Sequence, residues 1–236
     1  MKEIEERNSL QALQEKSKDL CKWCGVSLTS DNYDFQNSRY YELRCNDCLK
    51  KMNEENEKKA IDSSILRNIP SKFINIETDK VDLLSELEDK NIFINGGTGA
   101  GKTVFACSVG KHHLRNKKSI EFISFPKFIM KLQSLFKSEE KGEFGRIETP
   151  YSYAESIANF GGLLILDDLG AEKITDFVRQ ITYFIINERE MQMKQTIITS
   201  NFSVDKIDHM IDPRISSRIA GGYEVLDFGN KDRRLS

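Results

Sequence analysis

The strongest constraint on the fold is a glycine-rich loop that matches G-x-x-x-x-G-K-[ST] at every fixed position. It follows the apolar segment Asn91–Ile94, a predicted strand, and opens a predicted helix. Glycines let the backbone N–H groups wrap a phosphate chain, and the helix N-terminus adds partial positive charge. We therefore predict a nucleotide phosphate site here, and the flanking strand and helix disfavour an ordinary glycine-rich turn. The loop residues are Gly96, Gly97, Thr98, Gly99, Ala100, Gly101, Lys102 and Thr103.

Two adjacent acids follow the apolar run Leu163–Leu166. A buried parallel strand that ends in carboxylates places them at the sheet edge where nucleotides bind. We expect Lys102 to reach the β and γ phosphates, Thr103 and Asp167 to ligate Mg²⁺, and Asp168 to act as the base that orients water. In isolation the acids would also suit a polar turn, but the phosphate loop favours the catalytic interpretation.

A third polar cluster ends the apolar segment that begins at Gln195. Asn201 is placed to hydrogen-bond the γ-phosphate or the attacking water, although the same residue also suits a turn or a helix cap. Further on, Arg214 and Arg218 stand four residues apart and share one face of a predicted helix. They are candidates to reach the phosphate of a neighbouring subunit, and surface solubility is the alternative.

Short apolar runs alternate with longer helical patterns over the second part of the chain. Strands separated by helices imply right-handed crossovers and a parallel sheet covered on both sides. The sequence thus predicts a doubly wound α/β fold. The predicted strands are Ile92–Ile94, Ile120–Phe125, Leu163–Leu166, Thr196–Thr199 and Tyr223–Phe228. The predicted helices are Thr103–Leu114, Phe128–Phe136 and one whose apolar face carries Phe177, Ile181, Phe184 and Ile185.

Four of the five cysteines form two Cys-x-x-Cys pairs, at Cys21 and Cys24 and at Cys45 and Cys48. Two such pairs supply a closed tetrahedral shell of four thiolates, so we predict a structural zinc site in a small zinc-ribbon-like module. Unligated thiols and redox chemistry are the alternatives, and disulfides are disfavoured in a chain without secretory features. The fifth cysteine, Cys107, is expected to pack in the core.

Charge and composition limit the class of partner. The chain has 35 Lys plus Arg against 37 Asp plus Glu, so no global field attracts nucleic acid and any DNA contact must be local. The one basic cluster, 111–118, ends the helix after the phosphate loop, where it serves either the helix dipole and solubility or DNA. Because no apolar run approaches about 20 residues and no apolar signal core starts the chain, we expect a cytoplasmic protein without membrane contact.

The segment boundaries follow from these patterns. Residues 1–60 hold a polar N-terminal helix over 1–20, the cysteine module and a charged, solvated helix from Leu49 to Ala60. A helix-breaking Ile-Pro step falls within the linker, 61–75. The predicted ATPase domain covers 76–236.

Taken in order, these motifs resemble the AAA+ ATPases of the DnaC/DnaI helicase-loader and IstB transposition-helper family. The resemblance covers roughly residues 66–236 and includes the opening segment Ile69–Phe73 and the Leu-Asp-Asp-Leu-Gly-Ala-Glu run. It implies sensor 1 at Asn201, a trans-acting arginine finger at Arg218, with Arg214 the weaker candidate, and a sensor 2-like arginine at Arg233 beside Arg234. The second acid is Asp where the wider class usually has Glu, and the stretch after Arg218 is too short for a helical lid, so we expect slow, oligomer-dependent hydrolysis.

The resemblance also implies partners and a role. We expect an ATP-dependent loader that delivers a hexameric replicative helicase onto single-stranded DNA, with the zinc module contacting the helicase and subunits associating through Arg218. A transposition helper and an ATP-gated helicase adaptor with little turnover are the alternatives. ATP, Mg²⁺ and Zn²⁺ are the expected ligands.

Overall fold

The computed structural model describes residues 20–28, 44–136 and 148–233. Apart from its last residue, the helix predicted over 1–20 lies outside these ranges. The chain divides into two compact units, 1–62 and 63–236. Within the described residues, no helix combines the length and the apolar character needed to cross a membrane.

The first described helix, α1, covers Asn46–Asn68 and is longer than the predicted segment from Leu49 to Ala60. It ends one residue before Ile69, which precedes Pro70, because proline disfavours helical geometry in the residue before it. Upstream, Leu20 and Ser27 form an antiparallel bridge around the first cysteine pair.

The second unit is built on a sheet of five parallel strands, which confirms the predicted α/β class. The strands are β1 Ile92–Asn95, β2 Ile120–Ser124, β3 Leu163–Leu169, β4 Thr196–Ser200 and β5 Glu224–Asp227. The order across the sheet is β2-β3-β4-β1-β5, so the strand that precedes the phosphate loop lies between β4 and β5. All four residues of β1 are buried, as expected for an inner parallel strand covered on both faces.

Helices connect the strands and cover the sheet. They are α2 Asp82–Glu86, α3 Lys102–Arg115, α4 Phe125–Leu135, α5 Pro150–Asn159, α6 Asp176–Met191, α7 Val204–Met210 and α8 Pro213–Gly222. The sequence patterns did not predict α2, α5 or α7. Phe125, predicted to end a strand, instead begins α4, because Pro126 fixes a backbone angle suited to the first helical turn.

Strand β3 is longer than predicted and includes both acids. Its register with β4 shifts between Leu166 and Leu169, which is a local irregularity of the ladder. Bulges of this kind re-aim side chains, and this one falls at Asp167 and Asp168.

A buried arginine holds the opposite, amino-terminal edge of the sheet. Arg189 of α6 is 0% exposed, and its Nε donates to the Oγ1 of Thr196 at 2.8 Å. Its remaining N–H groups donate to four backbone carbonyls, those of Ala158, Phe160, Gly162 and Gln195. All five guanidinium donors are thereby used where β3 and β4 begin and α5 ends.

Candidate nucleotide site and cysteine cluster

The glycine-rich loop takes a shape that only glycine allows at some positions. Gly99 has φ 79° and Gly101 has φ 98°, both in the left-handed region. A Cβ atom on residue 99 would lie 1.9 Å from Oδ1 of Asp232, so a side chain there would displace this carboxylate, which belongs to the segment that crosses the loop. That segment is hydrogen-bonded to the loop, since Gly97 N–H donates to Gly229 O at 2.7 Å.

Lys102, the first residue of α3, is buried and its amine lies against the loop. Its Nζ donates to Gly96 O at 2.8 Å, to Gly97 O at 2.9 Å and to Oδ1 of Asn201 at 2.8 Å. The structure therefore brings the predicted phosphate-binding lysine and the predicted sensor residue into direct contact, although 99 positions separate them in sequence.

Asp167 forms a hydrogen-bonded cluster with two threonines. Its Oδ1 accepts from the hydroxyl of Thr103 at 2.8 Å and from that of Thr199 at 2.8 Å. Burial raises the pKa of this carboxyl, and the two hydroxyl donors act in the opposite direction. The adjacent Thr103 hydroxyl and Asp167 carboxylate are hard oxygen donors of the kind that Mg²⁺ prefers, so the predicted pair fits that ion.

Asp168 is turned away from Asp167 by an unusual backbone conformation. Its φ is 63°, and its N–H donates to Oγ1 of Thr199 at 2.9 Å. Aspartate tolerates the left-handed region better than most residues with a side chain. The consequence is that one acid stays in the buried cluster while the other lines the open cavity.

Several of these groups line a cavity of about 480 Å³ beside the loop. Its polar side includes Lys102, Thr103, Asp168 and Asn201, and the apolar side chains that line it are Phe73, Ile76, Val104 and Phe228. An apolar wall beside a phosphate-binding loop suits a nucleotide, with the base on the wall and the phosphates on the loop.

Arg233, the predicted sensor 2-like residue, also lines this cavity. Its backbone N–H donates to Gly99 O at 3.0 Å, and its side-chain Nη1 donates to both carboxylate oxygens of Asp79, at 3.0 and 2.9 Å. This ion pair lowers the pKa of Asp79. Arg234 lies outside the described residues.

The two finger candidates lie elsewhere, on the face formed by α6 and α8. Arg218 forms an ion pair with Glu190 and contacts Oδ1 of Asn187 and, at 3.2 Å, the hydroxyl of Tyr183. Arg214 is more exposed; it pairs with Asp212 at 2.7 Å and lies 4.4 Å from the centre of the Tyr183 ring. Among the described residues around the nucleotide cavity, neither arginine occurs.

In the first unit, the four predicted zinc ligands come together. The sulfur atoms of Cys21, Cys24, Cys45 and Cys48 all lie within 4.8 Å of one another, and Cys24 and Cys45 approach to 3.6 Å. Zn–S bonds of about 2.3 Å in a tetrahedron separate the sulfurs by about 3.8 Å, so the cluster fits one zinc ion. Gly25, at φ 72°, allows the tight turn after the first pair.

The basic cluster 111–118 is used within the fold. Lys111 and His113 are buried, and His113 contacts Gln195 at 2.9 Å. Arg115 pairs with Glu77, and Lys118 pairs with Glu88 and Asp89. The two roles predicted for this cluster were solubility at the helix end and DNA contact. Neither accounts for the burial of Lys111.

Several residues of the site were missed by the sequence patterns. Thr199 and Asp79 contact predicted site residues, and Phe73 and Phe228 line the cavity. Thr199 carried one signal, because a hydroxyl inside an otherwise apolar strand requires a buried partner.

Cys107 is buried in α3, and burial raises its pKa to about 12, so its thiol stays protonated at neutral pH.

Fold and site together define a P-loop nucleotide-binding protein with a parallel α/β core. The profile of the IstB-like ATP binding protein family matches residues 44–220. The chain therefore belongs to the IstB-like family of ATP-binding proteins.

Two curated relatives carry names of different kinds. The replicative helicase loader DnaI of Bacillus subtilis is 25% identical over 121 residues, which is 51% of this chain and 36% of the relative. A Pseudomonas fluorescens protein, named as an ATP-binding protein of insertion sequence IS1162, is 30% identical over 110 residues, or 47% of this chain and 43% of the relative. The chain thus matches less than half the length of these relatives.

Solved structures show the same fold. A crystal structure of DnaI superposes with a TM-score of 0.53 at 19% identity, covering 70% of this chain and 93% of that one. The DnaC helicase loader gives a TM-score of 0.53 at 22% identity, covering 67% and 99%.

Proposed function

We propose that this protein is an ATPase that loads a replicative DNA helicase onto single-stranded DNA. The observation that carries the ATPase proposal is the convergence, at one cavity, of side chains from the carboxyl ends of three separate strands. Lys102 follows β1, Asp168 is the next-to-last residue of β3, and Asn201 follows β4. Asp167, beside Asp168, accepts a hydrogen bond from Thr103, which also lines the cavity. Convergent polar groups at the carboxyl edge of a parallel sheet are typical of nucleotide-hydrolysing sites.

Each residue then has a chemical role toward ATP. Lys102 exchanges its carbonyl partners for the β- and γ-phosphate oxygens, and the backbone of residues 96–103 surrounds the phosphate chain. Asp168 orients a water molecule for attack on the γ-phosphorus and accepts its proton, while the bond to the ADP oxygen breaks. Asn201 hydrogen-bonds the same water or phosphate. Thr103 and Asp167 would hold Mg²⁺, which when bound neutralises phosphate charge.

Completion of the site by a second subunit is part of the proposal. Arg218 lies outside its own nucleotide cavity and carries a partly exposed guanidinium, which suits a residue that acts on a neighbour. Arg218→Ala should keep ATP affinity but reduce turnover by about 10³-fold or more. Unchanged turnover at high protein concentration would remove this residue from the mechanism.

The four-cysteine cluster favours a loader over the other family activity. Its four sulfurs would hold zinc in a closed shell, which stabilises a small unit without offering a catalytic position. We propose that this unit, within residues 1–60, contacts the helicase, and that 76–236 form the ATPase domain. A transposition helper is the second candidate, because the matched family and the insertion-sequence relative both support it.

The test reconstitutes both roles with the full chain. In the loader assay, a hexameric helicase is supplied with circular single-stranded DNA that carries an annealed strand, and strand displacement is measured with and without this protein. We expect stimulation that requires ATP and is lost in Lys102→Ala. Stimulation of a transposase on target DNA, without an effect on the helicase, would replace the loader by the helper. If the protein is an adaptor with little turnover, the wild-type chain and its Asp168→Asn variant should bind the helicase equally well.

A further inference from the structure

The amine of Lys111 is fully buried, and its described partners all belong to one short segment, residues 73–77. Nζ donates to Phe73 O at 3.2 Å, to Ile74 O at 3.3 Å and to Ile76 O, and it pairs with Oε2 of Glu77 at 3.2 Å. An ammonium has three N–H donors, so these four acceptors share them. A buried cation is retained only when it is compensated in this way.

The segment that Lys111 holds is the apolar wall of the nucleotide cavity. Phe73, Ile76 and Glu77 line that cavity, and the 3₁₀ turn Ser71–Phe73 ends there. Carbonyls at the end of such a turn lack donors within the turn, and an amine that donates to them fixes the chain direction. Phe73 O has one backbone donor besides Lys111, the N–H of Ile76 at 3.4 Å. Burial alone would raise the pKa of Glu77, but its pairs with Arg115 and Lys111 lower it overall.

Helix α3 connects this wall to the phosphate loop. Lys102 stands at its first position and Lys111 about 13 Å further along the same axis. A second tie comes from Ser108, whose Oγ accepts from Thr78 N–H at 3.0 Å. One rigid helix therefore carries the amine that contacts the loop and the amine that contacts the wall.

We propose that Lys111 is a positioning residue for the nucleotide base: it holds residues 73–77 as a preformed surface, so that affinity for adenine depends on it and affinity for the phosphates does not. This inference rests on the proposed ATP site. Preformed surfaces bind more tightly because the cost of ordering them is met on folding. Lys111 touches no phosphate-loop atom among its described contacts and takes no part in the reaction.

The test separates the base from the phosphates. Binding of ATP and of inorganic tripolyphosphate, each with Mg²⁺, is measured by calorimetry on the full chain as wild type and as Lys111→Met. We expect the ATP affinity to fall about tenfold or more, since the wall must then be ordered on binding. Tripolyphosphate affinity should stay within about twofold, and its stoichiometry counts the folded sites in each sample.

Two further variants guard the interpretation. Lys118→Met removes a lysine from the same basic cluster but not from the wall, and it should leave both affinities unchanged. Glu77→Gln, at a partly exposed position, weakens the ion pair with the Lys111 amine. It should lower ATP affinity by a smaller factor than Lys111→Met does. This variant keeps the inference testable if Lys111→Met does not fold. Equal losses for ATP and tripolyphosphate, or no loss of ATP affinity, would overturn the inference. A wild-type chain that binds neither ligand would overturn the ATP site and this inference with it.

Discussion

Two buried cations lie at opposite edges of the same sheet, and their surroundings differ in kind. Lys102, at the carboxyl edge, contacts two loop carbonyls and one amide oxygen beside an open cavity. Arg189, at the amino edge, directs all five donors at fixed acceptors. The flexible amine can exchange its partners for an incoming anion, whereas the planar fork is already fully occupied. If the proposed ATP site is correct, equal charge and similar burial serve binding at one edge and stability at the other.

The pKa of Arg189 supports this distinction. Burial lowers it to about 10, which still leaves the guanidinium protonated at neutral pH. A permanent cation surrounded by carbonyl dipoles ties together the starts of β3 and β4.

The largest effect is expected from Arg189→Met. It leaves several buried carbonyls without donors and should lower the free energy of unfolding by about 4 kcal/mol. Denaturant unfolding measures this loss, while the ATP affinity per folded molecule should change less than twofold. Arg179→Met, on an exposed part of the same helix, is the matched control and should cost no more than about 0.5 kcal/mol. A large fall in the ATP affinity of folded Arg189→Met would contradict the distinction between a structural Arg189 and a binding Lys102.

Lys102→Met should show the reverse pattern. Loss of charge-assisted contacts to phosphate should weaken ATP binding by about 3 kcal/mol, or about a hundredfold, with little change in unfolding free energy. Calorimetric titration with Mg²⁺ and ATP gives the affinity, and Lys127→Met, at an exposed position of α4, provides the control. Unfolding of the variant would mean that Lys102 is a structural cation like Arg189.

Arg218 offers an intermediate case, because it is partly exposed and held by Glu190. Glu190→Gln should release the Arg218 guanidinium, because the ion pair no longer has to be broken before the guanidinium reaches a neighbouring subunit. Breaking that pair costs about 0.5–1 kcal/mol, so ATP turnover should rise about two- to fivefold. Turnover is measured at fixed protein concentration, with Glu188→Gln on the same helix as the control. A lower turnover in Glu190→Gln would show that the pair positions the finger instead of restraining it.

The smallest effect concerns the surface pairs of the amino edge. Lys118 is the main cause that lowers the pKa of Glu88, to about 2, and Asn116 adds to it. The stabilisation from a depressed carboxyl is present above its ordinary pKa of 4.5 and is lost as the pH falls towards 2. The difference in Tm between wild type and Glu88→Gln should therefore narrow as the pH falls from 5 to 3. A difference in Tm between the two proteins that stays constant with pH would instead mean that Glu88 acts through packing.

Local patterns predicted the parts of the site that are contiguous in sequence. The phosphate loop, the two acids after the apolar run Leu163–Leu166 and the approximate strand positions all follow from spacing and apolar runs. The four cysteines are predictable for the same reason, since a ligand type at fixed spacing needs little tertiary information.

Residues whose roles depend on distant partners could not be predicted. Lys111 lies in a run of basic residues that indicates a solvated or DNA-binding surface, yet its acceptors come from more than 30 positions away. Arg189 lies on an amphipathic helix near acids that suggest surface pairing, while its carbonyl partners include the end of α5, which the patterns missed. The extension of β3 through both acids required the irregular register with β4, and that depends on tertiary pairing.

The left-handed backbone at Asp168 limits which replacements evolution or design can use there. Asparagine and glycine share the ability of aspartate to occupy this conformation at low cost, and a longer acid adds strain of about 1 kcal/mol. A lineage that gives up the proposed catalytic acid while keeping the same main-chain path would therefore pass through asparagine or glycine, each a single nucleotide change from either aspartate codon.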